Sequence, residues 1–226
     1  LHRTVAVDIM GYPAERTQVQ IVFRSNCPVR IGYKVFTISD THHVGAITSA
    51  FEYNDTGRIR ILGFVRPNSG EVIVGGIPLD EESVWDIRRR IAYVDQDVSI
   101  GDGTALDFLH SPFRFRANAE REFPEEKLGR LLEYFEMDEA LLRKDIEELS
   151  GGERQRLAII LAVLLERELF LLDEITSALD KNLKKKTAEF FAGEQEWTVM
   201  VISHDPVWVT DPRVKVFDLE QREWKQ

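Results

Sequence analysis

The segment of residues 149–174 constrains the fold of this chain more than any other part of the sequence. A Gly-Gly pair opens a long helical pattern there, over residues 153 to about 167. Residues 169–172 are all apolar, which is typical of a strand buried on both faces, and Asp173 and Glu174 follow at once. This succession predicts an α/β fold with acidic side chains at the carboxyl edge of a parallel sheet.

The remaining sequence alternates between β and helical patterns. Short runs with β character precede the middle of the chain, at residues 19–23, 29–38, 44–47, 71–74 and 90–94. Residues 101–148 are rich in helical patterns, and one helix is expected to begin at residues 137–142. Four apolar residues recur in this segment at helical spacing: Leu128, Leu131, Leu132 and Phe135. A helix over about residues 181–193 and a β-branched strand over residues 198–202 follow. We expect the helix-rich segment to lie to one side of the sheet.

Charge and composition exclude several classes of protein. The 39 acidic and 29 basic residues give a net charge of −10, which argues against an extended nucleic-acid-binding surface. The run Lys184-Lys185-Lys186 is expected to be a solvated helix face. Cys27 is the single cysteine, so no disulfide can form within the chain. The longest apolar run, residues 157–165, is far shorter than the roughly 20 residues of a membrane span, so we expect a cytoplasmic protein that reaches a membrane through a partner.

Six short motifs resemble those of the ABC ATPases, and they occur in that family's order over residues 63–205. They are the segment after the first helix (residues 66–72), the Q-loop (94–97), the LSGGQ signature (149–156, LSGGERQR), Walker B with its catalytic glutamate (169–174), the D-loop (177–180) and the H-switch (Ser203-His204).

This resemblance implies an α/β fold of the P-loop NTPase (RecA-like) type in a single ABC ATPase domain over residues 1–226. Residues 1–97 and 149–226 would form a core with a mostly parallel sheet and an N-terminal antiparallel β subdomain. Residues from about 98 to 148 would form a helical subdomain. Domains of this kind pair head to tail around ATP and Mg²⁺.

The signature lies at the start of the long helix, where free N–H groups and the helix dipole favour an anion. Small residues there let a phosphate approach the backbone closely. By resemblance, Ser150, Gly151, Gly152 and Glu153 face the γ-phosphate that the opposite subunit binds. The alternative is a plain glycine break before a helix, which the downstream motifs disfavour.

Asp173 and Glu174 should differ in role, because adjacent side chains on a strand point to opposite sides. By resemblance, Asp173 orients the Mg²⁺ shell and Glu174 polarises the attacking water as a general base. The alternative is an acidic loop that merely follows a core strand.

The other candidate residues depend more heavily on the resemblance. His204 would contact the γ-phosphate, and Gln96 would be a Mg²⁺ or water ligand in a loop coupled to the driven partner. Asp180 would cross the dimer interface, or it is simply a helix N-cap. Phe23 would stack on adenine, or it is a core residue of a strand.

One family element is missing from the sequence. The chain contains no G-x-x-x-x-G-K-[ST] loop and no Gly-Lys pair. Counting back from Gly63 places the loop at residues 48–56, from Thr48 to Thr56. Counting forward from residues 36–38, which resemble the strand before the loop, reaches the same slot.

The residues in this slot are poorly suited to phosphate. Phe51 and Tyr53 would crowd it, Glu52 and Asp55 would repel it, and Asn54 stands where the lysine belongs. Each lost charged hydrogen bond should cost about 1.5–3 kcal/mol, so we expect weak binding of ATP in the chain's own site.

These observations predict the ATP-binding subunit of an ABC transporter, which hydrolyses ATP at a homodimer or heterodimer interface. It would drive a transmembrane permease subunit from the inner face of the membrane. The alternative is a pseudo-ATPase that lends its signature surface to a competent partner. A soluble ABC protein of DNA repair or translation fits less well, because the charge is acidic and the sequence carries no coiled-coil insertion, zinc hook or tandem domain.

Overall fold

A computed structural model describes residues 5–7, 19–23, 34–38, 44–47, 62–64, 72–74, 77–96, 102–193, 197–203, 205–218 and 223–224. Its strands are β1 (Val5–Val7), β2 (Val19–Phe23), β3 (Lys34–Ile38), β4 (Val44–Ile47), β5 (Val72–Val74), β6 (Ile77–Pro78), β7 (Ile91–Val94), β8 (Leu169–Asp173), β9 (Thr198–Ile202), β10 (Lys215–Asp218) and β11 (Glu223–Trp224). Its α-helices are α1 (Val84–Arg89), α2 (Ala105–His110), α3 (Glu125–Tyr134), α4 (Gly151–Leu164), α5 (Lys181–Gly193) and α6 (Pro206–Val209). Short 3₁₀ helices lie at Ser111–Arg114, Arg116–Asn118, Glu139–Arg143 and Ile146–Glu148.

The larger sheet has the strand order β11-β10-β1-β4-β9-β8-β7. Strands β7, β8 and β9 are parallel, and β4 is parallel to both β9 and β10. All five residues of β8 are buried, as its unbroken apolar run requires. The parallel α/β sheet predicted from residues 149–174 is therefore confirmed. A second sheet has the order β3-β2-β5-β6 with antiparallel pairing throughout.

Helix α4 is the central helix of the core. It becomes buried all round in its second half, where Ile159 and Ile160 are fully inaccessible. Leu128, Leu131 and Leu132 of α3 share its hydrophobic cluster, as their helical spacing predicted. The segment between α2 and α4 is thus joined to the sheet through this helix.

The helix expected to begin at residues 137–142 is a 3₁₀ helix at Glu139–Arg143. Asp138 caps it by accepting from the N–H of Ala140 at 2.8 Å. It cannot continue, because the carbonyl of Lys144 accepts from Ala105 N and Ile146 N donates to Gly103 O, both at 3.0 Å. Pairing between these two stretches takes the backbone hydrogen bonds that a longer helix would need.

The strand that ends immediately before residues 48–56 is β4, so residues 36–38, which resemble the strand before the loop, belong to a different strand. Residues 36–38 belong to β3 in the antiparallel sheet, whereas β4 pairs in parallel with β9, with Val44 opposite Val199. The slot itself lies outside the described residues. It follows the carboxyl end of a core strand, where open parallel sheets bind ligands.

Candidate functional site

The start of α4 is fixed by a reciprocal hydrogen-bonded cap. Ser150 Oγ accepts from the N–H of Glu153 at 3.3 Å, and Glu153 Oε2 accepts from the N–H of Ser150 at 2.7 Å. Hydrogen bonds from Ser150 lower the pKa of the Glu153 carboxyl, and the side chain of Ser150 has a larger effect than its backbone. Glu153 therefore belongs to the cap, in addition to any role beside a phosphate.

The two signature glycines differ in how much space surrounds them. A Cβ on Gly152 would lie 2.9 Å from the carbonyl oxygen of Ala178, whereas a Cβ on Gly151 would meet nothing within 4 Å. Gly152 thus lets α4 pack directly on the backbone of residues 177–180, the segment that resembles the D-loop. Ser150 and Gly151 remain exposed at the helix end. The sequence suggested phosphate access for both glycines and gave no sign of the contact with Ala178.

Two residues of the signature segment that received no role from the sequence make long-range contacts. Gln155 is 1% exposed, and its Nε2 donates to the carbonyl of Asp95 at 3.4 Å. Arg156 donates to the carbonyls of Phe135 and Glu136 at 3.0 and 3.1 Å. The start of α4 is thereby tied to the loop after β7 and to the end of α3. A polar residue at a core-facing helical position was the only available signal for Gln155.

Asp173 and Glu174 lie together at the carboxyl edge of β8, and both are largely buried. The strand ends at Asp173, and Glu174 adopts a left-handed backbone with φ of 48°. The N–H of Glu174 donates to Ile202 O of β9 at 2.7 Å. The direction of its side chain is consequently set by this turn, and the strand alternation assumed from the sequence does not apply to it.

The turn after Glu174 leads into α5. The N–H of Ser177 donates to Glu174 O at 3.0 Å. Asp180 Oδ1 accepts from the N–H groups of Asn182 and Leu183 at 2.8 and 3.0 Å, which is the geometry of a helix N-cap. The capping interpretation of Asp180 thus has direct structural support.

A further acidic side chain, Asp205, lies beyond the end of β9. It caps α6 by accepting from the N–H of Val207 at 3.2 Å, and its own N–H donates to Ser203 Oγ at 3.0 Å. It also contacts Thr176 and Lys184. The sequence gave Asp205 no role. His204 lies outside the described residues.

The structure gives the backbone positions of Gln96 and Phe23, and no contact among the described residues defines a role for either side chain. Gln96 is exposed in the loop after β7, where its N–H donates to Asp95 Oδ1 at 2.8 Å. Phe23 ends β2 in the antiparallel sheet, opposite Lys34 of β3. Among the described residues no group of three or more His, Cys, Asp and Glu side chains could hold a metal. Mg²⁺ bound through one carboxylate, water and phosphate needs no such group, so Asp173 fits that mode of binding.

A family model described as "ABC transporter" matches residues 59–177, which is more than half of the 226-residue chain. The chain belongs to the ABC transporter family. The match includes Gln96, the signature and the Walker B segment of this ABC cassette, and it begins at residue 59, after the phosphate-loop slot at residues 48–56.

Relatives and solved structures agree with this assignment. The cassette is 30% identical over 162 residues to the energy-coupling factor transporter ATP-binding protein EcfA1 of Oceanobacillus iheyensis, covering 68% of this chain and 57% of that protein. It is 29% identical over 148 residues to the lactococcin-G-processing and transport ATP-binding protein LagD of Lactococcus lactis, covering 64% of this chain and 21% of LagD. It therefore spans only part of the length of these relatives.

The fold of the ABC cassette is that of solved ABC proteins. CbiO1 of Clostridium perfringens, part of the ABC transporter complex CbiONQ, superposes with a TM-score of 0.59 at 19% identity, covering 88% of this chain and 79% of that one. This likeness establishes the P-loop NTPase α/β fold with its parallel sheet. No helix in the described part of the chain has the length and apolar character needed to cross a membrane.

Proposed function

We propose that this cassette is the ATP-binding subunit of an ABC transporter and energises membrane transport. ATP would lie between its signature surface (Ser150, Gly151 and Gly152) and the phosphate-binding residues of a second subunit. The observation that carries this proposal is the exposed start of α4, which is capped by Glu153 and held against the D-loop by the contact between Gly152 and Ala178.

Residues at the carboxyl edge of the sheet would serve the nucleotide in the cassette's own site. Asp173 and Gln96 would hold Mg²⁺, which neutralises phosphate charge when it is bound. Glu174 would orient and deprotonate the attacking water, and His204 would contact the γ-phosphate. Asp180 would approach the second subunit while it caps α5. Phe23 remains the candidate for adenine stacking.

The surrounding architecture follows the same proposal. Residues 1–226 would form one ABC ATPase domain, in which the β3-β2-β5-β6 sheet is the β subdomain and residues 98–148 are the helical subdomain. The cassette would pair with itself or with another ABC subunit. It would sit on the inner face of the membrane through a transmembrane permease subunit. The names of EcfA1 and of the CbiONQ complex support a transporter role.

A second candidate function is a pseudo-ATPase that completes a partner's site. The sequence of residues 48–56 favours it, because the slot lacks the glycines and lysine and carries Glu52 and Asp55. The signature surface is built without any residue of that slot, since its cap and its contact with Ala178 are made by residues 150–178. A chain unable to hold ATP could therefore still present this surface.

The first experiment is calorimetric titration of the purified chain with Mg-ATP. Binding at low-micromolar concentration, one site per chain, would support a nucleotide site in this subunit. No binding up to several millimolar would leave only the signature-lending function.

A second experiment separates the two functions in the reconstituted transporter. Glu174→Gln should abolish ATP turnover if this subunit hydrolyses ATP. Ser150→Arg should abolish it while Glu174→Gln has no effect if the subunit only lends its signature. Ser150→Ala is the control, because it removes the cap without adding bulk. Unchanged turnover in both Glu174→Gln and Ser150→Arg would contradict both functions.

A further inference from the structure

The carboxyl end of α3 is held by a side chain of the signature helix. Arg156 Nη1 donates to the carbonyls of Phe135 and Glu136 at 3.0 and 3.1 Å. Its Nε donates to the carbonyl of Gly152 at 3.3 Å, within α4 itself. A guanidinium can serve all three acceptors at once because its N–H donors form a rigid planar fork. The first turns of α4 and the end of α3 are thus joined through one side chain.

The same end of α3 also contacts α5, the helix that follows the D-loop. Tyr134 Oη donates to the carbonyl of Lys186 at 3.1 Å. Lys186 Nζ lies 5.0 Å from the centre of the Tyr134 ring and 2.9 Å from Glu136 Oε1. The ring of Phe190, one turn further along α5, lies 5.0 Å from that of Tyr134 and 5.3 Å from that of Phe135. The end of α3 therefore contacts both the signature helix and the D-loop helix.

The lysines on this face of α5 differ in their surroundings, although the sequence predicts one solvated face for the whole run. Lys185 is 72% exposed, and its ion pair with Glu189 at 3.6 Å stays within α5. Lys186 is 32% exposed and joins α5 to α3. Glu136 is 59% exposed, so its ion pair contributes little by itself. The hydrogen bond and the ring contacts of Tyr134 therefore carry most of the restraint between the two helices.

Two separate contacts fix α4 relative to the D-loop segment. The first is direct, between Gly152 and the carbonyl of Ala178. The second runs from Arg156 through the end of α3 to Lys186, about two helical turns after the D-loop. A helix held at one point can still pivot there, whereas a second contact at another place removes that freedom. The signature surface is thereby held in one orientation relative to the D-loop.

We propose that Arg156, Tyr134 and Lys186 are positioning residues that set the orientation of the signature surface relative to the D-loop. Both parts would face the second subunit, so their relative orientation decides whether they fit it together. The importance of this orientation for hydrolysis rests on the proposed function, whereas the attachment through α3 does not. The same positioning would serve a pseudo-ATPase subunit, because that subunit would lend the same surface.

The test perturbs the contact between α3 and α5 and observes the signature surface in the purified full chain without nucleotide. Tyr134→Phe removes the hydrogen bond to Lys186 and keeps the ring. The readouts are the amide of Gly151 and the Nε–H of Arg156 in a nitrogen–proton NMR spectrum, assigned by their loss in Gly151→Ala and Arg156→Lys. Tyr134→Phe and Lys186→Met should shift both resonances. Lys186→Arg should shift them less, and the matched control Lys185→Met should leave them unchanged.

The variant Arg156→Lys tests whether Arg156 transmits the effect. Lysine keeps the charge but lacks the planar fork that reaches several carbonyls. In this background Tyr134→Phe should shift the Gly151 amide much less than in the wild type, because coupled contacts are not additive. Equal shifts in the two backgrounds, or an unshifted Gly151 amide in both Tyr134→Phe and Lys186→Met, would overturn the proposal. A shift in Lys185→Met as large as that in Lys186→Met would do the same.

Turnover of ATP in the reconstituted transporter tests the functional consequence. Arg156→Lys should lower kcat on the order of tenfold with a smaller change in KM, because a displaced signature surface affects the reacting complex more than the binding of ATP. Tyr134→Phe should lower kcat less, and Lys185→Met should leave it unchanged. An unchanged kcat in Arg156→Lys, in a transporter that Ser150→Arg inactivates, would refute the positioning role. Absence of turnover in the wild type would contradict the proposed function alone, and the shift of the Gly151 amide would still decide the attachment.

Discussion

Substitution of Gly152 by alanine tests how the signature helix is attached to the D-loop. The new Cβ would lie 2.9 Å from the carbonyl oxygen of Ala178, a distance that real Cβ atoms essentially never show. The obstacle is backbone, and the neighbouring Leu179 is buried and donates its N–H to Thr176 O at 3.1 Å. Either α4 or this turn must move to admit the methyl group.

Gly151 provides the matched control, because a Cβ there would meet nothing within 4 Å. In both variants alanine gains up to about 1 kcal/mol over glycine from helix propensity. Only Gly152→Ala carries the overpacking penalty of about 1–3 kcal/mol. The propensity gain cancels in the comparison, so Gly152→Ala should be about 1–3 kcal/mol less stable than Gly151→Ala.

The assay is thermal and urea unfolding followed by circular dichroism. For a chain of this size about 1 kcal/mol corresponds to roughly 2–4 °C in Tm, so Gly152→Ala should melt about 2–12 °C below Gly151→Ala. Equal melting temperatures would refute the argument that Gly152 is required by its contact with Ala178. Phosphate access alone would then remain as the reason for that glycine.

Substitutions at three other positions test the described geometry. Glu153→Gln should remove a pH dependence of the stability. The Glu153 carboxyl has a pKa lowered from 4.5 in the folded chain, so its contribution to stability is complete above about pH 4.5 and is lost as the pH falls through the pKa of the folded state. The difference in the free energy of unfolding between wild type and Glu153→Gln, measured by urea unfolding, should therefore narrow below about pH 4.5. Asp180→Ala should cost about 0.5–2 kcal/mol in urea unfolding, whereas Asp180→Asn keeps the acceptor and should cost less; equal losses would contradict the N-cap. Phe170→Ala, at a fully buried ring that packs on Phe191 and Trp197, should cost about 3–5 kcal/mol in the same assay, and a loss below 1 kcal/mol would show that the site collapses around the cavity.

The elements best predicted from the sequence are those whose signal is local. Helix α5 and strand β9 have the predicted bounds, because a helical pattern and a β-branched run are complete within each segment. The burial of β8 followed from its apolar run in the same way. The choice of a cap for Asp180 could be posed as an alternative but not resolved, because it depends on the start of α5 within one residue.

Contacts between distant segments could not be predicted. A short β run carries a period of two and no information about its partner. The sequence therefore did not show that residues 36–38 belong to the antiparallel sheet, whereas β4 lies in the larger sheet and is parallel to β9. The contact of Gly152 with Ala178 and the hydrogen bond of Gln155 to Asp95 likewise join residues that only the fold brings together.

The backbone of Glu174 bears on the choice between hydrolysis and signature lending. Three non-glycine residues in the described part of the chain have positive φ: Glu136, Glu166 and Glu174. Glu136 and Glu166 lie just beyond the ends of α3 and α4, where a left-handed residue commonly ends a helix, and each forms an ion pair with a lysine. Glu174 instead follows a strand, so no helix end explains its conformation.

A left-handed backbone costs about 1–3 kcal/mol for a residue with a side chain, and such strain is concentrated at functional sites because the surroundings impose it. The surroundings of Glu174 do so through its N–H bond to Ile202 and the bond of its carbonyl with Ser177. A subunit that only lends Ser150 and Gly151 to a partner has no use for a carboxylate at this strained, buried edge. The geometry of Glu174 therefore favours hydrolysis in this chain, whereas the sequence of residues 48–56 argues against it. Titration with Mg-ATP distinguishes the two, because the first observation predicts binding of ATP and the second predicts its absence.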